Sequence, residues 1–97
     1  MKLNKKIIIQ KLEKNSSELR RRGAKKIGLF GSYLKGKQKP KSDIDLIVTL
    51  DKKGEENYLE INFYLEDLFK KNVDLVPSKS LVKRLKHVKK EAEYARL

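Results

Sequence analysis

Ser42-Asp43-Ile44-Asp45-Leu46-Ile47-Val48-Thr49-Leu50 is the stretch on which the reading of this chain turns. Its alternation predicts a β-strand over Asp43 to Leu50, with Ile44, Leu46 and Val48 on one face and Asp43, Asp45 and Ile47 on the other. Both faces carry aliphatic residues, so the strand is too apolar for the edge of a sheet in water and belongs inside one. The same period of two puts Asp43 and Asp45 on one side, about 6 to 7 Å apart along the chain. Two acids that close repel each other unless a cation lies between them, and hard oxygen ligands select Mg²⁺ or Mn²⁺. An Asp-x-Asp after serine is also ordinary turn chemistry, and taken alone it leaves both readings open.

Working outward, Lys25 to Phe30 is a short alternating strand that buries Ile27 and Leu29 and stops at Gly31-Ser32. Tyr33 to Ser42, with Gly36 and Pro40, predicts a helical turn and a loop. Upstream, Ile8, Leu12 and Leu19 fall at helical spacing in one amphipathic helix from Leu3 to Arg22, which Gly23 ends. Downstream, Asp51 to Gly54 reads as a turn, and Tyr58, Ile61, Leu65, Leu68 and Phe69 mark a second helix ending near Lys70 to Asn72. Val73 to Val76 is a third strand stopped by Pro77. Ser78 or Ser80 caps a last helix in which Leu81, Leu85, Val88 and Ala92 share a face and Glu91, Glu93 and Tyr94 lie near the end. The expected fold class is α/β (α+β): one small mixed sheet packed against helices, in the order helix, strand, short helix, strand, helix, strand, helix.

The chain has 97 residues and a net charge of +12, from 25 Lys and Arg against 13 Asp and Glu. That length predicts one domain, 1–97, with an open active site that a partner completes. There is no cysteine and one histidine, His87, which excludes disulfide frameworks, zinc knuckles, thiol nucleophiles and His-based triads. Catalysis here must use carboxylates, hydroxyls and amines. The N-terminal segment begins with basic residues, but its apolar run is only Ile7 to Ile9, far short of a secretory core or a membrane span. A cytoplasmic protein without membrane association is expected.

Two further features bear on the paired acids. Asp74 is the only acid in the third strand, held between Val73 and Leu75, where an unpartnered carboxylate is costly. If that strand pairs with the Asp43 strand, three carboxylates converge; on a solvent-facing edge, Asp74 has no such role. Gly31-Ser32 lies between a strand and a helical turn, where backbone N–H groups and a hydroxyl can receive phosphate oxygens, although the same dipeptide makes ordinary tight turns. Neither a P-loop nor a dinucleotide-binding glycine pattern is present.

Taken together, Gly31-Ser32, ten intervening residues, Asp43-Ile44-Asp45 and the later Asp74 resemble the signature of the nucleotidyltransferase superfamily related to DNA polymerase beta. The Gly-Ser-Tyr start and the Ser-Asp-Ile-Asp-Leu strand resemble its minimal nucleotidyltransferases, the MntA-type antitoxins that act with HEPN-domain toxins. The resemblance runs over nearly the whole chain. It implies a Mg²⁺-dependent adenylyltransferase that moves AMP from ATP to a hydroxyl, a tyrosine, of a partner HEPN toxin in a hetero-oligomer. Carried over residue by residue, it gives the nucleotide phosphates to Gly31 and Ser32, and two Mg²⁺ ions to Asp43 and Asp45. Asp74 completes the site and helps deprotonate the attacking hydroxyl. Family members often read Gly-Ser-x-Ala-Arg-Gly, whereas here Tyr33-Leu34-Lys35-Gly36 stands in place of that ending, so Lys35 reads as surface charge lacking the planar fork of arginine.

The remaining candidates are weaker. His87 among Lys86, Lys89 and Lys90 reads as a surface histidine. Tyr58, Phe63 and Tyr64 read as core or partner-facing residues. Arg20-Arg21-Arg22 suits either RNA contact or the negative end of a helix dipole. A binding module that neutralises its toxin or RNA by contact alone is the alternative function, as is a transferase acting on RNA ends; the retention of all three acids argues for an enzyme. The charge itself is lopsided, with 14 Lys and Arg and two acids in residues 1–42 against 11 and 11 in residues 43–97. That basic half, including Lys35, Lys37, Lys39 and Lys41, is expected to attract ATP, an acidic toxin surface or RNA.

Overall fold

The computed structural model describes residues 2–80 and 83–97. Its elements in chain order are α1 (Lys5–Lys14), α2 (Ser16–Arg21), β1 (Ala24–Phe30), α3 (Gly31–Lys35), β2 (Ile44–Leu50), α4 (Lys52–Glu56), α5 (Tyr58–Phe69), β3 (Val73–Pro77), α6 (Lys83–Glu91) and β4 (Glu93–Tyr94). The four strands form one mixed sheet in the order β3-β2-β1-β4. β2 is internal, as its apolar faces require; it runs antiparallel to β1 and parallel to β3.

One face of the sheet carries the core. Ile27 and Leu29, Ile44, Leu46 and Val48, and Val73 and Leu75 meet Ile8 and Leu12 of α1, Leu19 of α2, and Ile61, Leu65 and Phe69 of α5. Burying side chains of this size gives about 1.5 to 3 kcal/mol each, which makes this layer the main driving force for the fold. Ile47 on the opposite face is also buried, and α6 lies against β1.

Several details differ from the sequence reading, each with a local cause. The expected helix from Leu3 to Arg22 breaks at Asn15, whose side-chain Nδ2 donates to the Lys11 carbonyl at 2.8 Å. Its Oδ1 accepts from the Tyr64 hydroxyl at 3.0 Å, so tertiary contact fixes a residue that already competes with helical bonding. The expected turn at Asp51 to Gly54 is the start of α4, because Asp51 caps the Gly54 N–H at 2.8 Å. Glu93 and Tyr94 leave the last helix and pair as β4 with Gly28 and Leu29 of β1. Gly28 has no side chain to obstruct the Tyr94 ring; a Cβ there would stand 2.8 Å from it. Finally, Ser78 is drawn to the sheet: its N–H donates to Val48 and its hydroxyl meets Thr49 Oγ1 at 2.9 Å, extending the β2–β3 pairing, while the cap expected from Ser78 or Ser80 falls where the chain enters α6, outside the described residues. Of the face assigned to that helix, Val88 and Ala92 are half-buried, while Leu81 and the side chain of Leu85 lie outside the described residues.

Candidate active site

β1 ends where β2 begins, and their register sets Phe30 opposite Asp45. On the other side, the parallel register sets Asp45 opposite Asp74. Residues directly opposite in a sheet share a face about 4.8 Å apart, so Phe30, Asp45 and Asp74 form one row across three strands, on the face away from the core. Asp43 lies just before β2 and is exposed; the strand begins one residue later than the sequence suggested. Ile44 N–H donates to the Asn72 carbonyl at 3.1 Å, tying the entry of β2 to that of β3. β3 is an edge strand and Asp74 is exposed, as in the solvent-facing alternative, yet its register places it beside Asp45.

Gly31 follows Phe30 directly and has a φ of 74°, in the left-handed region. A Cβ at this position would stand 2.1 Å from Asp45 Oδ2 and 2.8 Å from its Cγ. The turn and the central carboxylate are therefore packed together, and only glycine permits it. Gly31 and Ser32 open α3, which has no side-chain cap, so no neighbouring side chain competes for its first backbone N–H groups.

Burial holds the Asp45 carboxyl above the usual carboxylate range, and the charges of Asp74 and then Asp43 push it further the same way. The Tyr58 phenol is likewise raised, first by burial and then by Asp74; its hydroxyl donates to the Leu75 carbonyl. None of the ion pairs among the described residues includes Asp43, Asp45 or Asp74. This is a set of oxygen donors with excess negative charge and no internal counter-ion, the chemistry that Mg²⁺ favours. Among the described residues no group of three His, Cys, Asp or Glu side chains is close enough to hold a metal ion by itself.

A family model described as the nucleotidyltransferase domain matches residues 6–97. The chain belongs to the nucleotidyltransferase domain family. Protein adenylyltransferase MntA of Thermococcus cleftensis is 40% identical over 72 residues, covering 72% of this chain and 73% of that one. A solved structure described as a minimal nucleotidyltransferase matches with a TM-score of 0.79 and 27% identity over 94% of this chain and 95% of that chain. A crystal structure of a toxin-antitoxin with AMP-PNP matches with a TM-score of 0.67 and 28% identity, over 89% of this chain and 70% of that one. The chain is thus a nucleotidyltransferase, and the fold expected from the sequence is the one observed.

The other sequence candidates separate by environment. His87 is 76% exposed and pairs with Glu91 at 2.8 Å, a surface histidine. Arg21 and Arg22 both bind Glu18, at 2.7 and 2.5 Å, and Arg22 also lies over the Tyr64 ring, so these two of the three arginines are engaged within the fold, while Arg20 is exposed. Lys35 is exposed at the end of α3. Tyr58 and Tyr64 are half-buried and hydrogen-bonded, whereas Phe63 is 66% exposed. Phe30 and Tyr58 were missed as neighbours of the carboxylates: strand register sets Phe30 opposite Asp45, and the docking of α5 on β3 brings Tyr58 near Asp74, neither of which composition shows.

Proposed function

We propose that this nucleotidyltransferase is a cytoplasmic protein adenylyltransferase and the antitoxin of a toxin–antitoxin pair, transferring AMP from ATP to a tyrosine hydroxyl of a HEPN-domain toxin. The observation that carries the reading is the packing of Gly31 against Asp45 with Asp74 alongside, which joins a phosphate-accepting turn to a cation-seeking carboxylate row. The MntA relative and the AMP-PNP-bound toxin–antitoxin neighbour support the nucleotide and the kind of acceptor.

In this reading the backbone N–H groups of the Gly31-Ser32 turn and the Ser32 hydroxyl hold the triphosphate. Asp43 and Asp45, completed by Asp74, hold Mg²⁺. When bound, Mg²⁺ neutralises phosphate charge and stabilises departing pyrophosphate. The acceptor oxygen forms a bond to the α-phosphorus as the bond from that phosphorus to the bridging oxygen breaks, and pyrophosphate leaves. Asp74, exposed at the sheet edge, takes the hydroxyl proton and passes it to solvent. No residue of the chain becomes covalently attached.

A protein acceptor also suits the outer face of α5, where Leu59 and Phe63 are each 66% exposed at a helical spacing of four. Exposed apolar pairs of this size are suited to cover by a partner. The test is incubation of the purified protein with ATP labelled at the α-phosphate, Mg²⁺ and the HEPN protein encoded beside it. Label should move to a toxin tyrosine and be lost with Asp43→Ala or Asp45→Ala. Absence of transfer, or transfer unchanged in both variants, would overturn the reading.

A further inference from the structure

Away from the carboxylate row, two adjoining hollows lie along α1. The first, about 610 Å³, lies between α1, the loop after α3 and the end of α5, and Lys2, Lys11, Lys39, Lys70 and Lys71 line it. The second, about 360 Å³, is lined by Lys5, Lys6 and Lys35. Tyr33 and Gln38 line both, so the two hollows adjoin and together make a lysine-lined track. Neither lining contains an aspartate or a glutamate.

The chain fold creates this concentration. Lys70 and Lys71 come from the half of the sequence whose net charge is zero, yet they join lysines of the basic half because α5 ends beside the α3–β2 loop. Lys71 Nζ donates to the Pro40 carbonyl at 2.8 Å, which holds that junction. Lys5 is 3.5 Å from Glu93 and Lys70 is 2.9 Å from Asp67. No ion pair among the described residues engages Lys2, Lys6, Lys11, Lys35 or Lys39. The floor of the larger hollow is apolar, with Leu3, Pro40 and Leu68.

We propose that this track binds the backbone of a single-stranded nucleic acid, its phosphates on the lysines and its bases on the apolar floor. A linear polyanion satisfies lysines spread over two connected hollows, and the ammonium group is a compact phosphate partner. Single strands expose bases that the floor can cover, whereas a duplex keeps them stacked inside. The inference stands apart from adenylyl transfer and is measured on the protein alone, without ATP.

The experiment is fluorescence anisotropy with a labelled 12-nucleotide single-stranded RNA at several salt concentrations. Binding should weaken with salt, log K falling by about 0.7 per phosphate contacted for each unit of log salt. Combined Lys6→Glu, Lys11→Glu and Lys39→Glu should weaken it at least tenfold, and the corresponding glutamine variant several-fold, with circular dichroism confirming that both fold. The charge-matched set Lys52→Glu, Lys53→Glu and Lys89→Glu, off the track, should stay within about twofold. A DNA arm of the same sequence separates backbone binding, shared by both, from contacts to the RNA 2′-hydroxyl; either supports the proposal. Equal loss in the off-track set, no RNA binding at low salt, or equally effective competition by a polyglutamate peptide would overturn it.

Discussion

Gly31 meets two constraints at once, a left-handed φ of 74° and the Asp45 carboxylate against its Cα. Gly31→Ala therefore costs about 1 to 2 kcal/mol from the backbone alone, and its methyl must also displace Asp45. A fall in melting temperature of roughly 5 to 10 °C is expected, with ATP binding lost in calorimetry; retention of both would show that the turn is not coupled to the carboxylate. Asp45 presents the opposite balance. Burial and two neighbouring acids disfavour its charge, so Asp45→Asn should raise the melting temperature in EDTA by roughly 2 to 5 °C while lowering transfer by about 100-fold or more. Solvent reaching the carboxylate keeps the stability gain small. These residues were legible in the sequence by type and spacing, because an Asp-x-Asp on a strand and a Gly-Ser turn carry their own chemistry. Their contact with each other was not legible, since it depends on Phe30 standing opposite Asp45.

Among the elements, β3 is an edge strand, and side chains of α5 bond two of its outward backbone groups. Val73 N–H donates to Glu66 Oε2 at 3.0 Å, the Leu75 carbonyl accepts from Tyr58, and Pro77 has no N–H to leave open. Tyr58→Phe with Glu66→Ala should cost about 1 to 3 kcal/mol in chemical denaturation and promote concentration-dependent association in sedimentation. An unchanged, monodisperse double variant would show that the edge needs no such cover. α2 offers a pH test. Its Glu18 carboxyl is held below the usual range, first by its hydrogen bond to Arg21 and then by that to Arg22. A depressed folded pKa means stability present above the unfolded carboxylate value and lost as pH falls through the folded one. Glu18→Gln should flatten that loss in thermal melts as pH falls below the unfolded carboxylate value. The helices and strands themselves were readable from apolar periodicity. The break at Asn15, the helix after Asp51 and the strand at Glu93 were not, because each depends on one side-chain or cross-strand bond that periodicity does not encode.

At the scale of the whole molecule, the lysine-lined hollows and the exposed apolar pair fall on different elements. The lysines gather along α1, the α3–β2 loop and the end of α5, whereas Leu59 and Phe63 stand on the outer face of α5 with exposed Glu60 and Asp67 on the same helix. Leu59→Ser with Phe63→Ser should leave stability within about 0.5 kcal/mol, as for most surface substitutions. The same variant should weaken association with the proposed toxin partner at least tenfold in calorimetry, and unchanged association would place that partner elsewhere. Among the described residues no helix is long and apolar enough to cross a membrane. Composition alone determined the exclusions and the net charge, motif spacing pointed to the family, and the period of two placed β2 inside a sheet. Tertiary structure decided which residues became neighbours: Asp74 beside Asp45, Gly31 against that carboxylate, and Lys70 and Lys71 beside lysines some thirty to seventy positions away. The reason is physical. Periodicity records which face of an element is apolar, whereas strand register and helix docking follow from how those faces pack, and they set the distances on which electrostatics and chemistry depend.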